Sequence, residues 1–401
     1  MLSFQDYLAY WPVLAGALVF FALGLWMYLS SEAAMERSAK PVNWVADYRK
    51  PGFPFRRERL PWTEPLWLIP ALLALAGGGV RYALGLNAGQ IVYRQWLPLY
   101  GPTYSLLTAL IGAGGAFAAY LLLLILFRSR FAALLGTLLF LIAPVHGHNT
   151  VSLLTVSTLF LLLYLRSERA GFRAELWYYG ACLFFALSIA IDAELLWLVP
   201  LLMAFHLYRL YWNLRHNRIG WGNLCLFAAA ALGVWLLIGA VTGVTYRCVH
   251  NRFQVLPFAE LFNPLRIRYA CSELLRDAGL RAFRPIMRNR LLEPLLDAPL
   301  LGLGFWGLFS LGGMAFKRRQ IQGWFVLGMT ALFTLVWLLS GTYLLTLPLT
   351  LAVGATARNA ELGGKRITLL VVVLAGVLFS IGLALSAWAL PLVSPLAWRL
   401  L

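Results

Sequence analysis

The stretch from Arg128 to Arg166 reads RSRFAALLGTLLFLIAPVHGHNTVSLLTVSTLFLLLYLR. It holds two uncharged, mostly apolar runs between basic flanks. The middle, Pro144-Val-His-Gly-His-Asn-Thr150, carries the residues that break helices. Arg128 and Arg130 stand before the first run, and Arg166, Arg169 and Arg173 close the second. Lysine and arginine gather on the cytoplasmic side of membrane spans. Both flanks therefore belong on one side, and the apolar runs form a hairpin of two short helices that crosses and returns.

The rest of the chain repeats this pattern. Of 401 residues, 61% are hydrophobic and 12% are charged, and the mean hydropathy is +0.76. A single aqueous core cannot hide that much apolar surface, whereas a bilayer can. Trp11–Leu29, Tyr104–Phe127, Trp221–Val244 and Ile367–Leu390 are free of charge and near the ~20 residues needed to cross a hydrocarbon core. Spans in lipid must satisfy their own backbone polar groups, so these are predicted helices. The alternating strands of a barrel are not visible. The first segment lacks a basic leader and a small-residue cleavage site, so it reads as a span rather than a signal peptide. The formal net charge is +17. It lies in loops beside spans, where it sets orientation and meets anionic headgroups, and no basic soluble domain is present to bind nucleic acid.

The basic loops give a topology. Nothing before Trp11 is basic, whereas residues 31–63 carry Arg37, Lys40, Arg49, Lys50, Arg56, Arg57 and Arg59. This places the N-terminus outside and 31–63 in the cytoplasm. Spans then follow over about Glu64–Leu84 and Tyr104–Phe127, the hairpin 131–165, and a second hairpin, 176–212, turning at Asp192-Ala-Glu194. Trp221–Val244, Leu300–Phe316, Gly323–Ser340, Tyr343–Ala355 and Ile367–Leu390 complete the series. The fold class is all-α: a polytopic integral membrane protein of about twelve transmembrane helices, with both termini extracytoplasmic. Four regions result: an N-terminal span with its basic loop (1–63), a helical module (64–244), an Arg-rich outer loop (245–298) and C-terminal spans (299–401). No repeat relates the halves, which weighs against a secondary transporter.

From Glu64 to about Trp212 the order of parts is suggestive. An outward span leads to Gln95-Trp-Leu-Pro-Leu-Tyr-Gly-Pro-Thr-Tyr104 at the head of the next, and Arg128-Ser-Arg130 precedes Ala132-Ala-Leu-Leu-Gly-Thr-Leu-Leu-Phe-Leu-Ile-Ala-Pro144. A return span ends in Tyr164-Leu-Arg166, and a further hairpin carries Ala190-Ile-Asp-Ala-Glu194 and Leu198-Val-Pro200. This arrangement resembles the membrane module of GT-C-type glycosyltransferases, the superfamily that includes the protein mannosyltransferases. The resemblance implies transfer of a sugar from a polyprenyl-phosphate-linked donor at the outer face of the cytoplasmic membrane. Such enzymes usually carry an acidic residue in the first outer loop, as base or metal ligand. Here the corresponding loop, Gly85–Thr103, has no Asp or Glu, and its one charge is Arg94. Either an acid elsewhere replaces it, or the chain keeps the fold without the activity. The alternative function is non-enzymatic: a lipid-linked-glycan flippase or transporter, or a degenerate scaffold.

Candidate residues follow from the chemistry. Asp192 and Glu194 are acids at an outer turn, able to deprotonate an acceptor or hold a divalent cation; an acid at a helix start also simply caps free N–H groups. His146 and His148, on the other outer turn, suit a base, a metal ligand or a polar interfacial turn. Arg94 can face a donor phosphate or anchor to headgroups. Within 245–298 the basic residues are all arginine, among them Arg247, Arg252, Arg288 and Arg290. Arginine favours bidentate phosphate contact. Leu265, Tyr269, Leu274, Leu275, Leu280 and Phe283 interleave with further arginines. That pattern predicts amphipathic helices on the outer leaflet, as a lipid-phosphate clamp or as ordinary snorkelling. Cys248 and Cys271 share this loop, where a disulfide is permitted, while Cys182 and Cys225 fall in spans. No Walker loop, dinucleotide fingerprint or zinc-protease motif is present.

Overall fold

The structure is a computed structural model of the full chain. It describes residues 11–38, 68–88, 102–143, 148–166, 172–191, 195, 198, 244–249, 252–257, 297–316, 321–340 and 343–389. Among the described residues, the helical elements are α1 (Trp11–Ser38), α2 (Leu68–Ala88), α3 (Pro102–Phe127), α4 (Arg130–Ile142), α5 (His148–Arg166) and α6 (Phe172–Ile191). After the hairpin β1 (Val244–Val249) and β2 (Arg252–Pro257) come α7 (Ala298–Phe316), α8 (Ile321–Ser340), α9 (Thr346–Leu362) and α10 (Arg366–Ala389). The helical expectation holds, with this one antiparallel ribbon as its exception.

The region of the predicted hairpin, 131–165, holds the two helices α4 and α5, but they contact each other little: α4 packs on α3 and α9, and α5 on α3 and α6. Residues 144–147 between them lie outside the described residues. The entry to α4 is sharp: Arg128 and Ser129 alone separate α3 from α4. Arg128 has φ +51°, in the left-handed region, where a residue with a Cβ is held at a cost of roughly 1–2 kcal/mol. Ser129 then caps α4, its hydroxyl accepting the Ala132 amide at 3.0 Å.

The centre of the bundle is α9, which packs against α1, α3, α4, α5, α7, α8 and α10. Every residue from Thr346 to Ala357 is buried, as are Asn359 and Ala360. A helix buried on all sides is an interior one, and this one mixes small Ala and Thr with four leucines. Its neighbours come close through glycine. A Cβ on Gly307 of α7 would meet the carbonyl oxygen of Ala352, and one on Gly302 would lie 2.5 Å from the Phe20 carbonyl carbon in α1. Small residues allow such backbone approach, and the hydrogen bonds formed there fix it. Thr356 donates to the Leu303 carbonyl at 3.0 Å, and the Trp306 indole donates to the Phe21 carbonyl at 2.9 Å.

α1, α7 and α9 run the same way: Gly302 meets Phe20 and Phe309 meets Tyr28, while Gly304 meets Leu349 and Gly307 meets Ala352. α10 returns in the opposite sense: Phe379 lies against Gly16 and Gly376 against Pro299. The bundle therefore has a basic end, formed by the α3–α4 junction, the α9–α10 turn and the later part of α1. Its far end holds the starts of α7 and α9.

Among the described residues, Leu106–Phe127 and Ala298–Phe316 are long and apolar enough to cross a membrane, by length and composition. Shorter apolar stretches occupy Leu14–Ser30, Leu68–Gly79, Arg130–Ile142, Asn149–Tyr164, Gly323–Trp337 and Arg366–Gly382. Leu18, Leu75, Ile367 and Leu378 stand outward on the helices. Exposed apolar surface spread over several helices marks contact with lipid or a partner. The span expected over Trp221–Val244 lies outside the described residues up to Val244, where β1 begins.

Candidate functional site

The far end carries a carboxylate that the sequence reading passed over. Asp297 precedes α7, and its backbone carbonyl accepts the Leu301 amide at 2.8 Å, so it stands at the helix start. Pro299 in the first turn has no amide to donate. The Asp297 side chain reaches across to α9 and accepts the Thr346 hydroxyl at 3.3 Å. It is 1% exposed, and Thr346, Tyr343 and Thr350 are also buried. An ionisable side chain withdrawn from solvent among apolar helices is costly, and its default reading is functional. Asp297 also directly follows the Arg-rich segment in sequence.

The basic end is organised by a second acid, Glu361. Its Oε2 accepts from the Ser129 hydroxyl at 2.5 Å and from Arg358 at 2.7 Å, and its Oε1 accepts from Arg366 at 2.5 Å. Gly364, at φ +72°, turns the chain from α9 into α10 and so brings Arg366 back onto the carboxylate. One side chain thereby ties the α3–α4 junction to the α9–α10 turn. Burial pushes the Glu361 carboxyl up. The hydrogen bonds from Ser129 and Arg358 and the charges of Arg358 and Arg366 outweigh it, and the group titrates below its ordinary 4.5.

The folded state thus favours the charged form. The resulting stability is fully present above the ordinary value of 4.5 and is lost as pH falls through the lowered folded value. We expect Glu361→Gln to unfold more easily than the parent by about 1–3 kcal/mol at neutral pH. The gap should close in acid. Thermal unfolding of both proteins across pH checks this, and a gap independent of pH would contradict it.

The residues singled out from sequence distribute unevenly. Arg94, His146, Asp192, Glu194, Arg288 and Arg290 lie outside the described residues, as do Cys225, Cys271 and positions 265–283. His148 begins α5. Arg247 and Arg252 fall in the two strands. The register pairs Arg247 with Gln254 and Val249 with Arg252, so both arginine positions share one face of the ribbon with Thr245. Positions 244, 246, 248, 253, 255 and 257 form the other face, and all but Cys248 and Pro257 there are Val, Tyr or Phe. The first part of the Arg-rich segment is therefore a two-sided hairpin rather than a helix. Cys182 is buried in α6, as expected for an apolar filler. Among the described residues, no three side chains of His, Cys, Asp or Glu gather as a metal site.

Asp297 was legible only as a helix-start signal, an acid followed by Ala-Pro. Glu361 stands among Arg358, Lys365 and Arg366, whose basic character marks a cytoplasmic loop and masks the single acid. No known family, no curated protein and no solved structure matches the chain.

Proposed function

We propose that this chain is a multi-pass membrane protein that transfers a sugar from a polyprenyl-phosphate-linked donor at the outer face of the cytoplasmic membrane. In this reading about twelve helices cross the bilayer, the basic end faces the cytoplasm, and the far end and both termini face outward. The observation that carries it is Asp297. The resemblance to GT-C-type transferases leaves an outer acid to be found, and Asp297 is a buried carboxylate at the far end.

The chemistry assigns the parts. The acceptor hydroxyl attacks the anomeric carbon, and the bond from that carbon to the phosphate oxygen breaks. The acceptor proton passes to a carboxylate, and the polyprenyl phosphate leaves with the bonding electron pair as an anion. Asp297 is the candidate proton acceptor, with Asp192 and Glu194 at the outer turn as further candidates. Arginines of 245–298, among them Arg247 and Arg252 on the one ribbon face, suit the departing phosphate. A divalent cation held by the carboxylate would serve the same charge.

The test is a transfer assay with purified protein in lipid, a radiolabelled polyprenyl-phosphate sugar and a panel of acceptors. Donor-dependent label transfer is expected. If no donor gives transfer, the non-enzymatic reading, a lipid-linked-glycan flippase or a scaffold whose Asp297 only ties α7 to α9, takes its place.

A further inference from the structure

The arrangement around Glu361 has more positive charge than its carboxylate can balance. Arg358 and Arg366 each spend one nitrogen on Glu361, and a guanidinium has five N–H donors. Ser129 is bonded to the same carboxylate, which brings its chain neighbours Arg128 and Arg130 to this end, and both are exposed. Lys365, next to Arg366, lies 4.8 Å from the centre of the Trp26 ring. Among the described residues, Arg128, Arg130 and Lys365 thus lie at the same end as the Arg358–Glu361–Arg366 cluster. The cluster is not left to chance rotamers: the carboxylate fixes two guanidiniums, and the backbone of Arg128 is held at positive φ beside a capping serine. Backbone strain of this kind is kept where the surroundings over-determine it, and it is a pointer to function.

The side chains beside the cluster show what environment it meets. Ile367, adjacent to Arg366, is 79% exposed, and Leu362, adjacent to Glu361, is 48% exposed. Trp26 is half exposed under Lys365. Outward aliphatic groups next to arginines, with a tryptophan at the same level, describe the boundary between acyl chains and headgroups.

We propose that the basic end binds the phosphate of an anionic lipid in the leaflet it faces, in a site whose guanidiniums are positioned by Glu361. Arg358 and Arg366 donate to the phosphate oxygens from the sides of the guanidinium not used on Glu361, and Arg128 and Arg130 close the site from the α3–α4 junction. The inference rests on the membrane placement above and is independent of sugar transfer.

The experiment measures binding of short-chain phosphatidic acid to the purified protein in zwitterionic detergent, with phosphatidylcholine as the uncharged comparison. Two double variants remove the same charge: Arg128→Gln with Arg366→Gln, and Lys317→Gln with Arg319→Gln in the sequence Lys317-Arg318-Arg319 between α7 and α8. The first should weaken phosphatidic acid binding about tenfold and the second should leave it unchanged. Glu361→Gln is the sharper probe. It adds positive charge overall, so general attraction would strengthen binding, whereas loss of the positioned guanidiniums weakens it several-fold. Equal loss in both double variants, or tighter binding by Glu361→Gln, overturns the site. Displacement of the lipid by millimolar inorganic phosphate would assign the cluster to a soluble phosphate and overturn the lipid assignment. Because no transfer is measured, an inactive transferase that still binds phosphatidic acid leaves this inference standing, and an active one that does not bind it sinks this inference alone.

Discussion

Replacing Asp297 by asparagine should lower donor-dependent sugar transfer by about 10²–10⁴-fold, the usual contribution of a general base. Asparagine keeps the size of the side chain and an oxygen to accept the Thr346 hydroxyl, so the link between α7 and α9 survives. Stability should therefore change little. Thr346→Val supplies the comparison. It removes the hydrogen bond and leaves the carboxylate, and should cost roughly 1–2 kcal/mol of stability with only a modest loss of transfer. A carboxylate that merely ties two helices gives the opposite pattern, with transfer near parental in Asp297→Asn. Asp192→Asn and Glu194→Gln belong in the same assay. If one of these collapses transfer while Asp297→Asn does not, the acid on the outer turn holds the role.

The second large effect is expected in the packing of α7. Gly307→Ala should destabilise the protein by about 1–3 kcal/mol or more, because the new methyl group meets the backbone oxygen of Ala352 rather than a side chain that can swing away. α9 cannot retreat, since it is buried among its neighbours on every side. Gly312, one turn and a half further along α7, has nothing within 4 Å of the added carbon. There the same change removes only the backbone freedom of glycine, and should be neutral or stabilising by up to about 1 kcal/mol. Thermal unfolding in detergent distinguishes the two. A neutral Gly307→Ala would mean that α7 and α9 do not approach as closely as described.

What could be read from the sequence depended on the length of the apolar runs. α3, α4, α5, α7, α8 and α10 begin and end within a few residues of their predicted bounds, because each is an apolar run bounded by basic residues or by helix breakers. α9 was foreseen only as far as Ala355. Beyond it Arg358 and Arg366 pair with Glu361, and the helix continues to Leu362. α1 likewise continues past Leu29 to Ser38, into a stretch expected to be loop.

The hairpin had its own signal. Val244-Thr-Tyr-Arg-Cys-Val249 and Arg252-Phe-Gln-Val-Leu-Pro257 are mostly β-branched, aromatic or aliphatic, and only His250 and Asn251 separate them in sequence. The arginines drew attention to headgroup binding and away from that alternation. Asp297 and Glu361 were missed for a common reason. A single acid at a helix end is usually a cap or a solvated pair, and only the tertiary partners, Thr346 for one and Ser129 for the other, set these two apart.

The account stands on one physical claim, that the helices cross a bilayer with the Glu361 end inside and the hairpin outside. A protein with Cys182, Cys225, Cys248 and Cys271 replaced by serine can carry a single new cysteine at Asn251, between β1 and β2 in sequence, or at Leu362, beside Glu361. Intact cells treated with a membrane-impermeant maleimide should label the Asn251→Cys protein and leave the Leu362→Cys protein unlabelled until the membrane is opened. Labelling of Leu362→Cys from outside, or protection of Asn251→Cys, would contradict the orientation and with it the outer-face placement of Asp297.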